Sequence, residues 1–230
     1  GAVLKETGRI SESIVPFKKS LEITPQDPIA QSNLGVTLQA LGRLEEAETF
    51  LRQAIALKFD YATAHNNLGI TLHALGRLEE AESSLKQAVS LKPDFVEAYI
   101  NLGNTLKKLN KLDEAKASYT QLIQLKPDYI DGYKNLGVIL RELGKLSESE
   151  EKLRYAIALK PDDAEAYNSL GNTLQEMGKF EEAMNSYAQA MKLRPYFVNA
   201  EENIINCFSV FNPKNLISNP ILADLKLKID

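Results

Sequence analysis

Five glycines stand 34 residues apart along the chain, and no other feature constrains the fold as strongly. They are Gly35, Gly69, Gly103, Gly137 and Gly171. A leucine precedes each of them, and small residues recur at fixed distances after them. A period of this length predicts one helical unit copied in tandem, because each copy buries its apolar face against the next. Such a chain offers a long surface instead of a single enclosed pocket.

Each 34-residue unit contains two helical patterns, in which apolar residues lie three, four and seven positions apart. With Pro28 taken as position 1 of a repeat, the first pattern ends at position 15. A Gly or Asn stands there, and these residues tolerate the left-handed backbone that often ends a helix. The second pattern begins with acidic residues and ends at Lys or Arg before a Pro, which suits both ends of the helix dipole. The position-15 residues are Gly42, Gly76, Asn110, Gly144 and Gly178.

Aspartates in Pro-Asp turns precede several of the first helices. We expect these aspartates to cap the helices, with an acidic residue three positions later completing a capping box. The pairs are Asp94 and Glu97, Asp128 and Asp131, and Asp162 and Glu165.

The spacing, the loop glycines and the prolines at position 32 together resemble the tetratricopeptide repeat. The resemblance covers residues 28–197 as five full repeats, with Phe59 as the exception among the prolines. It implies an all-α fold, in which antiparallel helix pairs stack into a right-handed α-α superhelical solenoid. Small residues at positions 8, 20 and 27 then allow neighbouring helices to approach closely.

The two ends of the chain continue the repeat register. Residues 1–27 form a partial N-terminal repeat, and residues 198–230 predict a sixth first helix followed by a C-terminal capping helix. Because terminal repeats need a polar outer face, a start inside a repeat favours a fragment of a longer protein or a processed form.

Composition narrows the classes of function. The net charge is −4 and no basic cluster dominates, which argues against a nucleic-acid surface. No apolar stretch approaches the roughly 18 residues of a membrane span, and no secretory signal is visible. The single cysteine, Cys207, excludes an intramolecular disulfide framework, and its apolar neighbours predict a buried thiol. We expect a cytoplasmic protein that binds neither nucleic acid nor membrane.

Signals for catalysis are weak throughout the chain. It contains no HExxH motif, no GxSxG motif and no complete phosphate-binding loop. His65 and His73 lie eight residues apart on one predicted helix, which is poor spacing for a shared metal ion. Acidic pairs recur at the starts of second helices, where the helix dipole explains them. We therefore expect no enzyme activity, no metal and no cofactor.

The resemblance implies that first helices line a concave surface through positions 2, 5, 6, 9, 12 and 13. An amide side chain both donates and accepts hydrogen bonds, so a row of amides suits the backbone of an extended peptide. Such a row is similar to the asparagine-lined superhelix of O-GlcNAc transferase. Because Asn before Leu-Gly is also common in this family, the row alone does not separate peptide recognition from consensus. Position 6 is occupied by Asn33, Asn67, Asn101, Asn135, Ser169 and Asn203.

Basic residues stand at the other lining positions of the third and fourth repeats. Lys107, Lys134 and Arg141 together predict a binding place for an acidic group of a ligand. The same charges are also compatible with a solvated face that binds nothing.

These patterns predict a protein–protein interaction module that holds an extended or helical segment of a protein or peptide partner in its concave groove. Two alternatives stay open. One is the substrate-targeting arm of a larger transferase-type enzyme. The other is a self-assembly module that forms a homo-oligomer through the interrupted N-terminal repeat.

Overall fold

The computed structural model describes residues 14–195 and 198–210, and within these residues all regular structure is helical. Helix α1 covers residues 14–23. The remaining helices alternate between a first and a second helix of each repeat, which confirms the predicted all-α fold of tandem helix pairs. The first helices are α2 (Pro28–Ala40), α4 (Ala62–Ala74), α6 (Val96–Lys108), α8 (Ile130–Glu142), α10 (Ala164–Glu176) and α12 (Val198–Val210). The second helices are α3 (Leu44–Leu57), α5 (Leu78–Leu91), α7 (Leu112–Leu125), α9 (Leu146–Leu159) and α11 (Phe180–Leu193).

The chain divides into two compact units, unit 1 (Gly1–Leu125) and unit 2 (Lys126–Asp230). In unit 1, α2 packs on α3, α4 on α5 and α6 on α7. In unit 2, α8 packs on α9 and α10 on α11. Within a unit, each second helix also packs on the first helix that follows it. The core of each unit therefore lies between successive layers of helices.

The glycines of the 34-residue row explain how closely the two helices of a repeat approach. A Cβ atom at Gly35 would lie 2.7 Å from Cγ of Leu51, and one at Gly103 would lie 2.8 Å from Cζ of Tyr119. Real Cβ atoms are not found so close to other heavy atoms. A side chain at these positions would force the packed residue of the second helix to move, so the period in the sequence has its origin in helix packing.

The first helices end in the predicted left-handed turns. In the first repeat, the Gly42 N–H donates to the Gln39 carbonyl and the Arg43 N–H donates to the Leu38 carbonyl, both at 2.9 Å. These two bonds form a Schellman motif. Asn110 has φ of +58°, so it substitutes for glycine as predicted. The glycines of the other repeats have φ between +71° and +78°: Gly42, Gly76, Gly144 and Gly178.

The predicted aspartate caps are wrong, because the helices begin one residue later than expected. The N-cap residues are Phe95 for α6 and Tyr129 for α8, and neither makes a side-chain cap. At α10 the cap is Asp163, whose carboxylate accepts from the backbone N–H of Glu165 at 3.0 Å and of Ala166 at 3.1 Å. The aspartate that was predicted to be the N-cap lies inside the Pro-Asp turn, one residue before the observed N-cap. Asp94, Asp128 and Asp162 therefore belong to turns.

Cys207 is buried in unit 2, as its apolar neighbours predicted. It packs in a cluster with Ala200 and Ile204. Burial raises the pKa of the Cys207 thiol to about 11, so the thiol is protonated at neutral pH. The predicted capping helix lies outside the described residues, as do residues 1–13 of the partial N-terminal repeat.

Candidate functional site

Successive first helices contact one another directly within each unit. In unit 1, α2 contacts α4 and α4 contacts α6; in unit 2, α8 contacts α10 and α10 contacts α12. Equivalent positions of these helices therefore form rows that cross from one repeat to the next. We call the surface formed by positions 2, 5, 6, 9, 12 and 13 of the first helices the first-helix face of that unit.

The asparagine row of unit 1 lies on this face. Asn33 is exposed, and Asn67 and Asn101 are partly exposed. The Asn101 Nδ2 amide donates to Oδ1 of Asn66, one repeat earlier, at 3.0 Å. Asn66 is itself buried, so this bond satisfies a polar group that has lost its contact with water. The amides of neighbouring repeats are therefore linked to each other as well as open to a ligand.

The corresponding row of unit 2 contains Asn135, Ser169 and Asn203, and all three are partly exposed. The Asn203 Nδ2 amide donates to Oδ1 of Asn172 at 3.0 Å. An open cavity of about 650 Å³ adjoins this pair. Its lining includes the amide side chains of Asn168, Asn172, Gln175 and Asn203. Oδ1 of Asn168 is buried and accepts no hydrogen bond from the described part of the chain.

Lys134 occupies position 5 of the first-helix face of unit 2, where its ammonium group is surrounded by carboxylates. Nζ lies 3.0 Å from Asp131, 3.2 Å from Asp163 and 3.1 Å from Glu165. The side chain is only 14% exposed. Burial by itself would lower the pKa of Lys134, but its hydrogen bonds to Asp131 and Glu165 outweigh burial and raise the pKa above its usual value.

Arg141, like Lys134, already forms an ion pair with a carboxylate, whereas Lys107 does not among the described residues of its unit. The Arg141 guanidinium donates to Glu176 Oε1 at 2.6 Å. Lys107 is partly exposed and has no carboxylate partner in the described part of unit 1. The three cations that the sequence grouped as one acidic-ligand site are therefore not equivalent. A ligand carboxylate must compete with existing ion pairs at Lys134 and Arg141.

His73 lies at position 12 of the first-helix face of unit 1, beside a small cavity of about 190 Å³. Its Nδ1 atom is 2.9 Å from Oγ1 of Thr105 in the next repeat. Burial, with a smaller contribution from the Lys108 charge, lowers the pKa of His73 below its usual value. The imidazole is therefore neutral at pH 7. Ile70, Asn101 and Asn104 line the same cavity.

Asparagines at other lining positions were not among the predicted peptide-binding residues. Asn66 stands at position 5, and Asn104 and Asn172 stand at position 9. Their positions alone assigned them to the same face, but the sequence did not indicate which side chains hold them. The hydrogen bonds of all three become visible only in the structure.

The part of the chain that the structure describes contains neither a cluster of metal-binding side chains nor a helix able to span a membrane. There, no group of three or more His, Cys, Asp or Glu side chains is arranged to hold a metal ion. His65 instead places Nε2 at 2.9 Å from the backbone carbonyl of Phe59. Across the same residues, every helix is too short or too polar to cross a bilayer.

Four family models of the tetratricopeptide repeat match successive parts of the sequence. Three described as tetratricopeptide repeat match residues 26–94, 72–136 and 164–197, and one described as TPR repeat matches residues 139–178. Together they extend over most of the helix pairs described above. The chain belongs to the tetratricopeptide repeat family. Among curated proteins, no sequence matches this tetratricopeptide-repeat chain.

Solved structures of other proteins share its fold. YrrB, described as a TPR protein with an unusual peptide-binding site, is 22% identical, with a TM-score of 0.74 over 81% of this chain and 96% of YrrB. MamA is 23% identical, with a TM-score of 0.69 over 72% of this chain and 91% of MamA. A thermophilic TPR protein from Thermus thermophilus, TTC0263, is 24% identical, with a TM-score of 0.58 over 80% of this chain and all of that protein. At these identities the similarity establishes the fold.

Proposed function

We propose that this chain is a protein–protein interaction module that binds an extended peptide segment of a partner protein on its first-helix faces. The observation that carries the proposal is the direct contact between successive first helices, which arranges partly exposed amide side chains in rows. Amides offer a donor and an acceptor together, and a peptide backbone presents the complementary pair at every residue.

The spacing of the rows suits an extended ligand. Packed helices lie about 8–10 Å apart, and an extended or polyproline-type chain rises about 3.1–3.4 Å per residue. Each step from one repeat to the next therefore corresponds to about three ligand residues. A row built from Asn33, Asn67 and Asn101 would contact a segment of about seven residues in unit 1.

The similarity in fold to YrrB supports this proposal, because the structure of YrrB is described as having a peptide-binding site. For the acidic group of a ligand, Lys107 is the preferred partner. Lys134 and Arg141 already bind carboxylates, so they contribute only where a ligand displaces these. We infer no catalytic role for any of these residues, and a cytoplasmic location stays a prediction.

Replacing Asn33, Asn67 and Asn101 together with Ala tests the proposal on the row of unit 1. Peptides are first captured from a diverse library by the wild-type chain, and the affinity of the best binder is then measured by calorimetry for both proteins. Because each lost hydrogen bond contributes about 0.5–1.5 kcal/mol, we expect affinity to fall at least about tenfold.

A matched control removes three amides from the second helices instead. Gln53, Gln87 and Gln124 are exposed on α3, α5 and α7, so their replacement by Ala should leave peptide affinity unchanged. Circular dichroism should show the same helicity for both variants. Equal affinity of the wild-type chain and the asparagine variant would remove the row from the mechanism.

Self-association through the N-terminal repeat is a second candidate, favoured by exposed apolar residues. Ile23 at the end of α1 is 84% exposed, and Val15 and Ile29 are more than half exposed. Sedimentation analysis over a wide concentration range tests this candidate. A mass that rises with concentration in the wild-type chain, and stays monomeric in Ile23→Lys, would support it. A monomer at every concentration would exclude it.

A further inference from the structure

The described repeats are of two kinds, which differ at positions 24 and 9. Position 24 lies on the second helix, opposite the glycine at position 8. Where position 24 is leucine, position 9 on the first-helix face is Val or Ile; where it is tyrosine, position 9 is Asn. The leucine repeats pair Leu51 with Val36, Leu85 with Ile70, and Leu153 with Val138. The tyrosine repeats pair Tyr119 with Asn104 in unit 1, and Tyr187 with Asn172 in unit 2.

The two tyrosine rings are fully buried, and their hydroxyl groups reach the first helix. The Tyr119 hydroxyl donates to Oδ1 of Asn104 at 2.7 Å, and the Tyr187 hydroxyl donates to Oδ1 of Asn172 at 2.8 Å. The glycine at position 8 permits this approach, because it leaves room for the ring against the helix backbone. Burial raises the pKa of Tyr187 above its usual value, so its hydroxyl keeps its proton and remains a donor.

A bond to the carbonyl oxygen fixes which end of the amide is offered to a ligand. The Asn side chain has one carbonyl oxygen and one NH₂ group with two donors. When the tyrosine hydroxyl occupies the oxygen, the NH₂ group remains for other partners. Asn104 is exposed and Asn172 is partly exposed, so a ligand can reach both residues. Val or Ile at position 9 of the leucine repeats offers no polar group.

We propose that Tyr119 and Tyr187 are positioning residues, which orient the amides of Asn104 and Asn172 so that their N–H groups donate to backbone carbonyl oxygens of a bound peptide. This inference rests on the proposed peptide-binding function and assigns its hydrogen-bond polarity. The tyrosine repeats then supply directed donors, while the position-6 asparagines supply both donors and acceptors.

The two pairs differ in how firmly the asparagine is held. Oδ1 of Asn172 also accepts from Nδ2 of Asn203 at 3.0 Å. The Tyr187 hydroxyl is shared, because it also lies 2.8 Å from Oε1 of Gln175. Loss of the Tyr187 hydroxyl therefore leaves Asn172 with a second donor. Asn104 and its bond to Tyr119 provide the sharper test.

A double-mutant cycle on the full chain tests the inference, with a library-captured peptide as the probe. Tyr119→Phe removes the hydroxyl and keeps the ring, while Asn104→Ala removes the amide. We expect each variant to bind the peptide about 3- to 10-fold more weakly than the wild-type chain. The double variant should bind no more weakly than Asn104→Ala, because the tyrosine acts only through the asparagine. Additive losses, or an unchanged affinity in Tyr119→Phe, would overturn the inference.

Tyr61→Phe is the matched control, because it removes a tyrosine hydroxyl from the same unit and keeps the aromatic ring that lies beneath Lys58. Its peptide affinity should equal that of the wild-type chain. A loss as large as that of Tyr119→Phe would show that the effect is not specific to the Asn104 contact.

The side-chain amide resonances of Asn104 in ¹⁵N NMR spectra separate failure of this inference from failure of the proposed function. The positioning claim predicts that Tyr119→Phe shifts these resonances without any peptide, while Tyr61→Phe leaves them in place. Unchanged Asn104 amide resonances in Tyr119→Phe would refute the positioning role. If the wild-type chain captures no peptide, the proposed function fails, and the inferred donation to peptide carbonyls fails with it.

Discussion

The first-helix faces of the two units carry similar basic residues, but these residues differ in their ion-pair partners. In unit 1, Lys107 has no carboxylate partner among the described residues of its unit. In unit 2, Lys134 is held by three carboxylates and Arg141 by one. Two of the partners of Lys134 lie at the start of the next first helix, where Asp163 is the N-cap of α10 and Glu165 stands in its first turn. A residue's chemistry in a repeat protein therefore depends on the neighbouring repeat as much as on its own position.

The largest effect should come from removing the most enclosed cation. Lys134→Met leaves Asp163, whose side chain is 10% exposed, without its ammonium partner. We expect a loss of about 1–2 kcal/mol in the free energy of unfolding, which is less than for a fully buried pair because water still reaches the site. Lys107→Met should change stability by less than about 0.5 kcal/mol. Urea unfolding followed by circular dichroism measures both, and equal losses would contradict the difference between the units.

Making unit 2 resemble unit 1 should alter ligand preference. Glu176→Gln releases the Arg141 guanidinium from its ion pair. We expect an acidic peptide to bind about two- to fivefold more tightly to this variant, since an exposed ion pair contributes about 0.5–1 kcal/mol. A neutral peptide of the same length should bind equally to both proteins. Tighter binding of both peptides would show that charge is not the cause.

The smallest effect should depend on pH. Burial alone would raise the pKa of Asp163, but the backbone N–H of Ala166 and the Lys134 charge outweigh it and hold the pKa below 3.8. A lowered carboxyl pKa stabilises the folded state above the unfolded value near 3.8, and this contribution is lost as pH falls through the folded value. Asp163→Asn, which keeps a capping residue, should therefore be less stable than the wild-type chain at pH 7. Urea midpoints of the two proteins should converge towards pH 2, and a constant difference at both pH values would contradict the assignment.

The fold could be predicted from the sequence because its most regular residues are required by local helix packing and backbone geometry. The glycine at position 8 is required where a second helix crosses the first, and Gly or Asn at position 15 is required where φ is positive. The N-caps were predicted wrongly, since the Pro-Asp turn uses one more residue than a cap assignment allows. Tyr129, for example, stands at the N-cap position of α8 in place of Asp128, and its ring lies 5.4 Å from the Lys126 ammonium group.

The candidate site was only partly predictable. The rows follow from the period, so the positions of Asn67 and Asn101 on one face needed no structure. The ion pair between Lys134 and Asp163 joins residues 29 positions apart, and the Tyr119–Asn104 bond joins two helices of one repeat. Such contacts depend on side-chain direction across a helix interface, which periodicity does not specify.

Mapping the bound peptide on the chain tests the central claim most directly. Backbone amide shifts of the ¹⁵N-labelled protein are recorded as the captured peptide is added. Our account predicts that the changes concentrate on the first helices of the unit that binds the peptide: on α2, α4 and α6 with Asn67 and Asn101 in unit 1, or on α8 and α10 with Asn135 in unit 2. Changes concentrated on the exposed sides of the second helices, with these residues unaffected, would contradict it.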